Sequence, residues 1–156
     1  MEPKRWHTRE DSGLRLDGAL RWWHDGEPIE HPNIIEAFNC GVRVEDDGRY
    51  TLHFGNDWCF IEVEDAAYGV VAVDLSEGGR VSLRLSDRTA EWLDPSSLSV
   101  DGEGVLRAKV KGGKAGARFG RDAQFQLVQL LEVDGQMVLI GPNREHTSLQ
   151  PGLLTA

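Results

Sequence analysis

Cysteine is scarce: the only two in 156 residues, Cys40 and Cys59, form no Cys-x-x-Cys pair, so neither a disulfide framework nor a clustered zinc motif is indicated. The count allows one bridge between them, but two buried thiols fit the ordinary behaviour of free cysteine better. Long apolar runs are also missing. No stretch approaches the roughly 20 apolar residues of a membrane span, and Met1-Glu2-Pro3-Lys4-Arg5-Trp6-His7 lacks the apolar segment of a signal peptide. The expectation is a cytoplasmic protein without a membrane partner. Positive charge is short overall: the formal net charge of -9 argues against generic binding to duplex nucleic acid or anionic membranes, both of which repel an acidic surface.

What is present is ordinary globular material. Apolar residues make up 40% and charged residues 28% of the chain, which places it outside the disordered class. A chain of this length buries roughly 70% of its unfolded surface as one domain or two small ones, and five tryptophans add large burial area.

The chain also repeats itself. Leu14-Arg15-Leu16-Asp17-Gly18 returns as Leu98-Ser99-Val100-Asp101-Gly102, and Gly48-Arg49-Tyr50-Thr51-Leu52 returns as Gly135-Gln136-Met137-Val138-Leu139, in the same order and at similar separation. Such self-similarity is the mark of a duplicated module. It divides the chain into a tail at 1–13, a first module at 14–76, a second at 77–145 and a C-terminal tail at 146–156. The fold class expected is α+β: two similar small antiparallel-sheet modules, each with one helix.

In the first module, Leu14 to Leu16, an Asp17-Gly18 turn and Leu20 to His24 predict a hairpin. Ile34, Ile35 and Phe38 at one-turn spacing, with Pro32 at the start and Gly41 beyond the end, predict a helix from about Pro32 to Cys40. Arg49 to Phe54, Trp58 to Val63 and Gly69 to Leu75 are rich in β-branched and aromatic residues and predict strands. Ser76-Glu77-Gly78-Gly79 is the linker candidate. In the second module, Val81 to Leu85, Leu98 to Val100 and Val105 to Val110 predict strands. Asp122 is placed to cap a helix carrying Phe125, Val128 and Leu131, before a strand at Met137 to Ile140. The segment 123–132 fits a strand as well, around an Asp134-Gly135 turn.

Three segments resemble a known bacterial family, domain of unknown function 1285: Gly26-Glu27-Pro28-Ile29 followed by a helix ending in Phe38; Ile61-Glu62-Val63-Glu64-Asp65-Ala66; and Ala117-Arg118-Phe119-Gly120-Arg121 leading into Leu127. Together they span about residues 14 to 141. The chain departs from the family's pattern at His53-Phe54-Gly55-Asn56, Ala67-Tyr68 and Gly141-Pro142-Asn143-Arg144. The resemblance implies a two-domain duplication, a second domain loosely like the pleckstrin-homology fold, a ligand site at the domain interface, and a role in signalling through a nucleic-acid-based ligand. It implies no established activity.

The charge distribution points to one candidate binding segment. Acids outnumber bases 20 to 10 before residue 101, yet Arg107 to Arg121 contains six bases and no acid. Within it, Lys109, Lys111, Gly112, Gly113, Lys114, Arg118 and Arg121 combine glycines, which allow close approach of backbone amides, with cations suited to phosphate. A helix starting at Asp122 would add its N-terminus. The segment is not a P-loop, since Ala108 and Ala115 stand where the first glycine and the hydroxyl belong; a solvated loop or a patch that balances the acidic module is the plainer alternative. Trp22 is the candidate for stacking on a ligand ring, Trp23 pointing to the opposite face of the same strand. His24, His31 and His53 are not at metal-site spacing, Cys40 has no nucleophile signature, and Glu62, Glu64 and Asp65 fit the wet face of a strand. No catalytic residue, metal or cofactor is assigned. The function expected is non-enzymatic: a regulatory protein, in signalling, binding a small anionic, nucleotide-like ligand near the seam between the two modules. A protein-interaction adaptor is the alternative, and a hydrolase using His24, His31 and the acids is the third.

Overall fold

The computed structural model describes residues 7–133, 137–140 and 146–148. The Asp134-Gly135 turn and the Gly141-Pro142-Asn143-Arg144 segment lie outside the described residues. The chain is α+β, mostly sheet, and divides into two compact units, Met1–Ala67 and Tyr68–Ala156.

The first unit holds two small sheets and a helix. Strands β1 (Leu14–Leu16), β2 (Trp22–His24) and β3 (Glu27–Pro28) form an antiparallel run, and β7 (Glu62–Val63) joins β1 in parallel, with Arg15 opposite Glu62. Helix α1 (Pro32–Gly41) is followed by a meander of β4 (Val42–Val44), β5 (Tyr50–Phe54) and β6 (Asp57–Phe60). The expected strand Trp58 to Val63 is therefore two strands in two sheets: it leaves β5 after Phe60 and reaches β1 at Glu62. The hairpin and the helix fall where expected, His31 Nδ1 accepting from Asn33 N at the helix start. Trp22 is 1% exposed. Its Nε1 donates to Asn39 Oδ1 at 2.8 Å and its ring meets Phe38 edge-on at 5.3 Å, which ties the helix to the sheet. Gly41 allows the helix end to pass β5, since a Cβ there would lie 2.2 Å from the His53 carbonyl oxygen. Residues 8–13 lie along β6, with Phe60 N donating to Arg9 O and Ser12 Oγ to Phe60 O.

The second unit is built on one six-stranded sheet. Its strands are β8 (Tyr68–Leu75), β9 (Val81–Leu85), β10 (Ala90–Trp92), β11 (Ser99–Val100), β12 (Leu106–Val110) and β13 (Ala115–Phe119), in the order β10-β9-β8-β13-β12-β11. The strand grouped by sequence with the first module, Gly69 to Leu75, has both of its sheet neighbours here. Strict alternation buries Val81, Leu83 and Leu85, then Leu106, Ala108 and Val110, then Ala115, Ala117 and Phe119 on one face. This is the period-two pattern of a sheet packed on one side.

Helix α2 (Arg121–Val128) packs against β8. It begins at Gly120 without a side-chain cap, and Asp122 sits in its first turn, where a carboxylate favours the helix dipole. The expected apolar stripe is corrected: Ala123 and Leu127 are the buried pair, one helical turn apart, while Phe125 is 65% and Val128 42% exposed. Side-chain amides set this rotation. Gln124 Oε1 accepts from Leu106 N and Gln126 Oε1 from Val73 N, at 3.0 and 2.9 Å, covering strand donors left without a ladder partner. The helix stops at Val128, and β14 (Leu131–Val133), β15 (Met137–Ile140) and β16 (His146–Ser148) follow as an antiparallel meander. Both readings of 123–132 thus hold in part, helix first and strand from Leu131.

Substitution of Leu127 by Ala is expected to destabilise the protein by roughly 2–5 kcal/mol, as for other buried leucines. Phe125→Ala should change stability by no more than about 0.5 kcal/mol, as at an exposed site. Urea unfolding of the two variants checks the helix orientation.

Candidate functional site

The structure turns the glycine-rich basic segment into the β12–β13 hairpin. Lys111, Gly112, Gly113 and Lys114 form its tip, with Gly113 N donating to Val110 O and Lys114 N to Lys111 O. Lys111 at φ 56°, Gly112 at 69° and Gly113 at 84° make a left-handed reversal that glycine accommodates at two of the three positions. Lys111 is engaged within the unit: Nζ contacts Asp87 Oδ2 at 2.6 Å and Thr89 Oγ1 at 2.9 Å, and its amide donates to both Glu91 carboxylate oxygens. Arg107 holds Asp101 through Nε and a terminal nitrogen, at 3.0 and 2.9 Å. On the outward face of the hairpin Arg118 stands opposite Arg107, and Lys109 opposite Gly116. Arg121 is exposed at the start of α2.

Of the two adjacent tryptophans, Trp22 is the core member, and Trp23 lines a cavity in the first unit. That cavity, about 620 Å³, is bounded by Arg15, Trp23, Arg49, Tyr50 and Phe60, together with the carboxylates Glu10, Asp11, Asp25 and Glu62. Two arginines stand among these four carboxylates. The Arg15 guanidinium lies 5.0 Å from the centre of the Trp23 ring and is paired with Glu64. That of Arg49 lies 3.4 Å over Phe60 and 2.7 Å from Glu10. Trp23 is itself fixed, its Nε1 donating to Asp17 Oδ2 at 2.8 Å. Burial raises the Asp17 pKa, but hydrogen bonds from Arg21 N, Trp23 Nε1 and Ala19 N outweigh it and leave the carboxyl below its ordinary value.

A neighbouring cavity of about 450 Å³ is lined by His7, Arg9, Ser12, His24, Asp57 and Trp58, among others. His7 and His24 meet there beside Asp25, which the spacing of the histidines in the sequence does not indicate. The visible signal was the adjacency of His24 and Asp25 at a turn; nothing in the sequence linked His7 to them. His31 stays at the start of α1, and His53 stacks on Trp58 with ring centres 6.4 Å apart. Both cysteines are free thiols, Cys40 exposed on α1 and Cys59 half-buried. The expectation of two buried thiols is corrected for Cys40, which lies on the helix face turned to solvent. Burial pushes the Cys59 pKa up.

The Asp87–Lys111 pair gives a testable consequence. Burial alone raises the Asp87 pKa, but its bonds to Lys111 and Thr89 prevail and lower it. A depressed folded-state pKa contributes stability above the unfolded-state value of about 3.9, and that contribution disappears as pH falls through the folded value. Asp87→Asn should therefore flatten the acid limb of the melting-temperature profile between about pH 5 and pH 2. Lys111→Met, which strands a carboxylate only 7% exposed, should cost roughly 3 kcal/mol at neutral pH.

No protein-family model and no curated protein matches the chain. Solved structures do. A DUF1285 family protein from Silicibacter pomeroyi DSS-3 superimposes with a TM-score of 0.64 at 18% identity, over 88% of this chain and 78% of that one. A DUF1285 family protein from Shewanella baltica OS155 gives 0.56 at 16% identity, over 76% and 91%. The chain has the fold of the DUF1285 family, the family its three motifs resemble.

Proposed function

We propose that this protein is a non-enzymatic, cytoplasmic regulatory protein that binds a small anionic, nucleotide-like ligand, and that the cavity of the first unit holds it. The observation that carries the reading is the pair Arg15 and Arg49, each lying over an aromatic ring at that cavity. A guanidinium stacked on a ring keeps its in-plane donors for an anion. The present partners are replaceable: Glu10 and Arg49 are 69% and 47% exposed, and an exposed pair contributes little, about 0–1 kcal/mol. A phosphate or carboxylate of the ligand takes over the guanidinium groups, Trp23 and Tyr50 supply ring surface, and Asp11 and Glu62 accept from N–H groups of the ligand's ring. The basic hairpin suits an anion less well, because its pairs Lys111–Asp87 and Arg107–Asp101 are more buried than Arg15–Glu64 and Arg49–Glu10.

The same reading takes β1–β6 and β11–β16 as copies of one module, with β7 and β8–β10 outside the repeat. In its support, three strands, a helix and a three-strand meander occur in this order twice, as β1–β3, α1, β4–β6 and as β11–β13, α2, β14–β16. The repeated pentapeptides fall on β1 and β11, then on β5 and β15. The likeness of the second unit to the pleckstrin-homology fold rests on the family resemblance alone.

A second reading, an interaction adaptor, is favoured by the exposed apolar side chains Val71 and Leu75 on β8, 51% and 55% exposed; the β8 edge beyond Val70 is itself covered by α2, Gln126 taking Val73 N.

Calorimetric titration with a panel of nucleoside mono- and diphosphates separates these readings. Binding should quench Trp23 fluorescence, and Arg15→Ala and Arg49→Ala should each weaken it roughly tenfold or more, the loss of one charge-assisted hydrogen bond. Lys109→Ala with Arg118→Ala should leave it unchanged. No heat and no melting shift with any nucleotide would refute the ligand reading; loss in the Lys109/Arg118 variant alone would move the site to the hairpin.

A further inference from the structure

We infer that His7, His24 and Asp25 form a binding site for one divalent transition-metal ion, independently of the ligand proposed above. His7 Nε2 lies 2.8 Å and His24 Nε2 3.7 Å from the same oxygen, Asp25 Oδ2. One donor atom from each residue falls within 4.8 Å of the other two. Neighbouring ligands of one ion at about 2.1 Å lie roughly 3.0–3.4 Å apart, so rotation of these exposed side chains, closing the widest pair by roughly an ångström and a half, completes the set. Two imidazoles and one carboxylate suit Zn²⁺, Co²⁺, Ni²⁺ or Fe²⁺ and leave further positions for water. His7 and His24 line the 450 Å³ cavity, and Asp25 lines the 620 Å³ one.

The backbone prepares this arrangement. Asp25 and Gly26 are the two residues of the β2–β3 reversal, at φ 50° and 84°, the left-handed pair that a two-residue hairpin turn requires. Asp25 N donates to Gly13 O at 2.9 Å, anchoring the turn to the approach of β1. Gly13 then leaves the space the cluster occupies: a Cβ there would lie 2.1 Å from Asp25 Oδ1 and 3.2 Å from His7 Nε2. The His7 and His24 rings sit 4.8 Å apart at 43°, close enough for both to reach one ion. A plain hydrogen bond between His7 and Asp25 explains neither the convergence of the second imidazole on the same oxygen nor the room kept at Gly13.

The test is titration of the full chain, stripped with chelator and free of nucleotide, with Co²⁺ and Zn²⁺. Co²⁺ should give visible d–d absorption saturating at one ion per chain, and Zn²⁺ should displace it. His7→Ala, His24→Ala and Asp25→Asn should each weaken binding by roughly 10–100-fold, a loss usual even for an outer-shell partner. Gly13→Ala should weaken it without removing a ligand. His31→Ala and His53→Ala should bind as the parent does, and far-ultraviolet circular dichroism establishes that each variant is folded. Absence of d–d bands, or binding that survives His24→Ala combined with Asp25→Asn in a folded protein, would overturn the assignment. Because nucleotide is absent, failure here leaves the Arg15 and Arg49 reading to its own experiment.

Discussion

Each unit depends on one short parallel pairing between its first strand and a strand reached much later. In the second unit β8 meets β13 through Tyr68, Gly69 and Val70; without it, β8–β10 and β11–β13 are two separate antiparallel runs. In the first, β1 meets β7 at Arg15 and Leu16. Parallel neighbours need a long connection, so both closures bear a loop-entropy cost before the core under them is complete. The consequences are visible at their ends. β13 leaves β8 after Phe119 while β8 runs on to Leu75, and α2 starts there because Gly120 N still reaches Val70 O. Gln126 then covers Val73 N, a donor that the departing strand no longer serves.

The closure of the first unit also arranges its cavity. Glu64, just past β7, donates from its amide to Leu16 O and brings its carboxylate to Arg15 and to Gly18 N. Arg15 is thereby held over Trp23, and Trp23 is held by Asp17. Each of the two arginines here is paired with a glutamate, and an exposed pair is a weak commitment that a ligand group of like charge can replace. The His7, His24 and Asp25 cluster lies at the other end of β1, where the Asp25-Gly26 reversal meets Gly13.

In the second unit, cations that look uncompensated along the chain have partners in space. Lys111 and Arg107 meet Asp87 and Asp101, and the Lys111 amide meets Glu91. An acid-free stretch of sequence says nothing about the acids that the fold brings beside it: Asp101 follows the neighbouring strand β11, whereas Asp87 and Glu91 come from the β9–β10 turn and β10, at the other end of the strand order. On the outward face of the hairpin Arg107 and Arg118 stand opposite each other, with Lys109 along the same strand as Arg107.

The sequence by itself determined the local elements: helix α1 from the one-turn spacing of Ile34, Ile35 and Phe38 with Pro32 before them, the β1–β2 hairpin, and the strands whose alternation buries Val81, Leu83 and Leu85. It also carried the family resemblance, since motif order survives at low identity. Local pattern reports which residues dislike water, not which neighbour will cover them. Tertiary structure alone decided that Trp58 to Val63 divides between two sheets, that β8 belongs to the second unit, that α2 buries Ala123 and Leu127 and not Phe125, and that Trp22 is core while Trp23 faces a cavity. The same holds for the convergence of His7 on His24 and Asp25. These outcomes depend on pairings between residues far apart in the chain, whose energies come from contacts that no window of sequence contains.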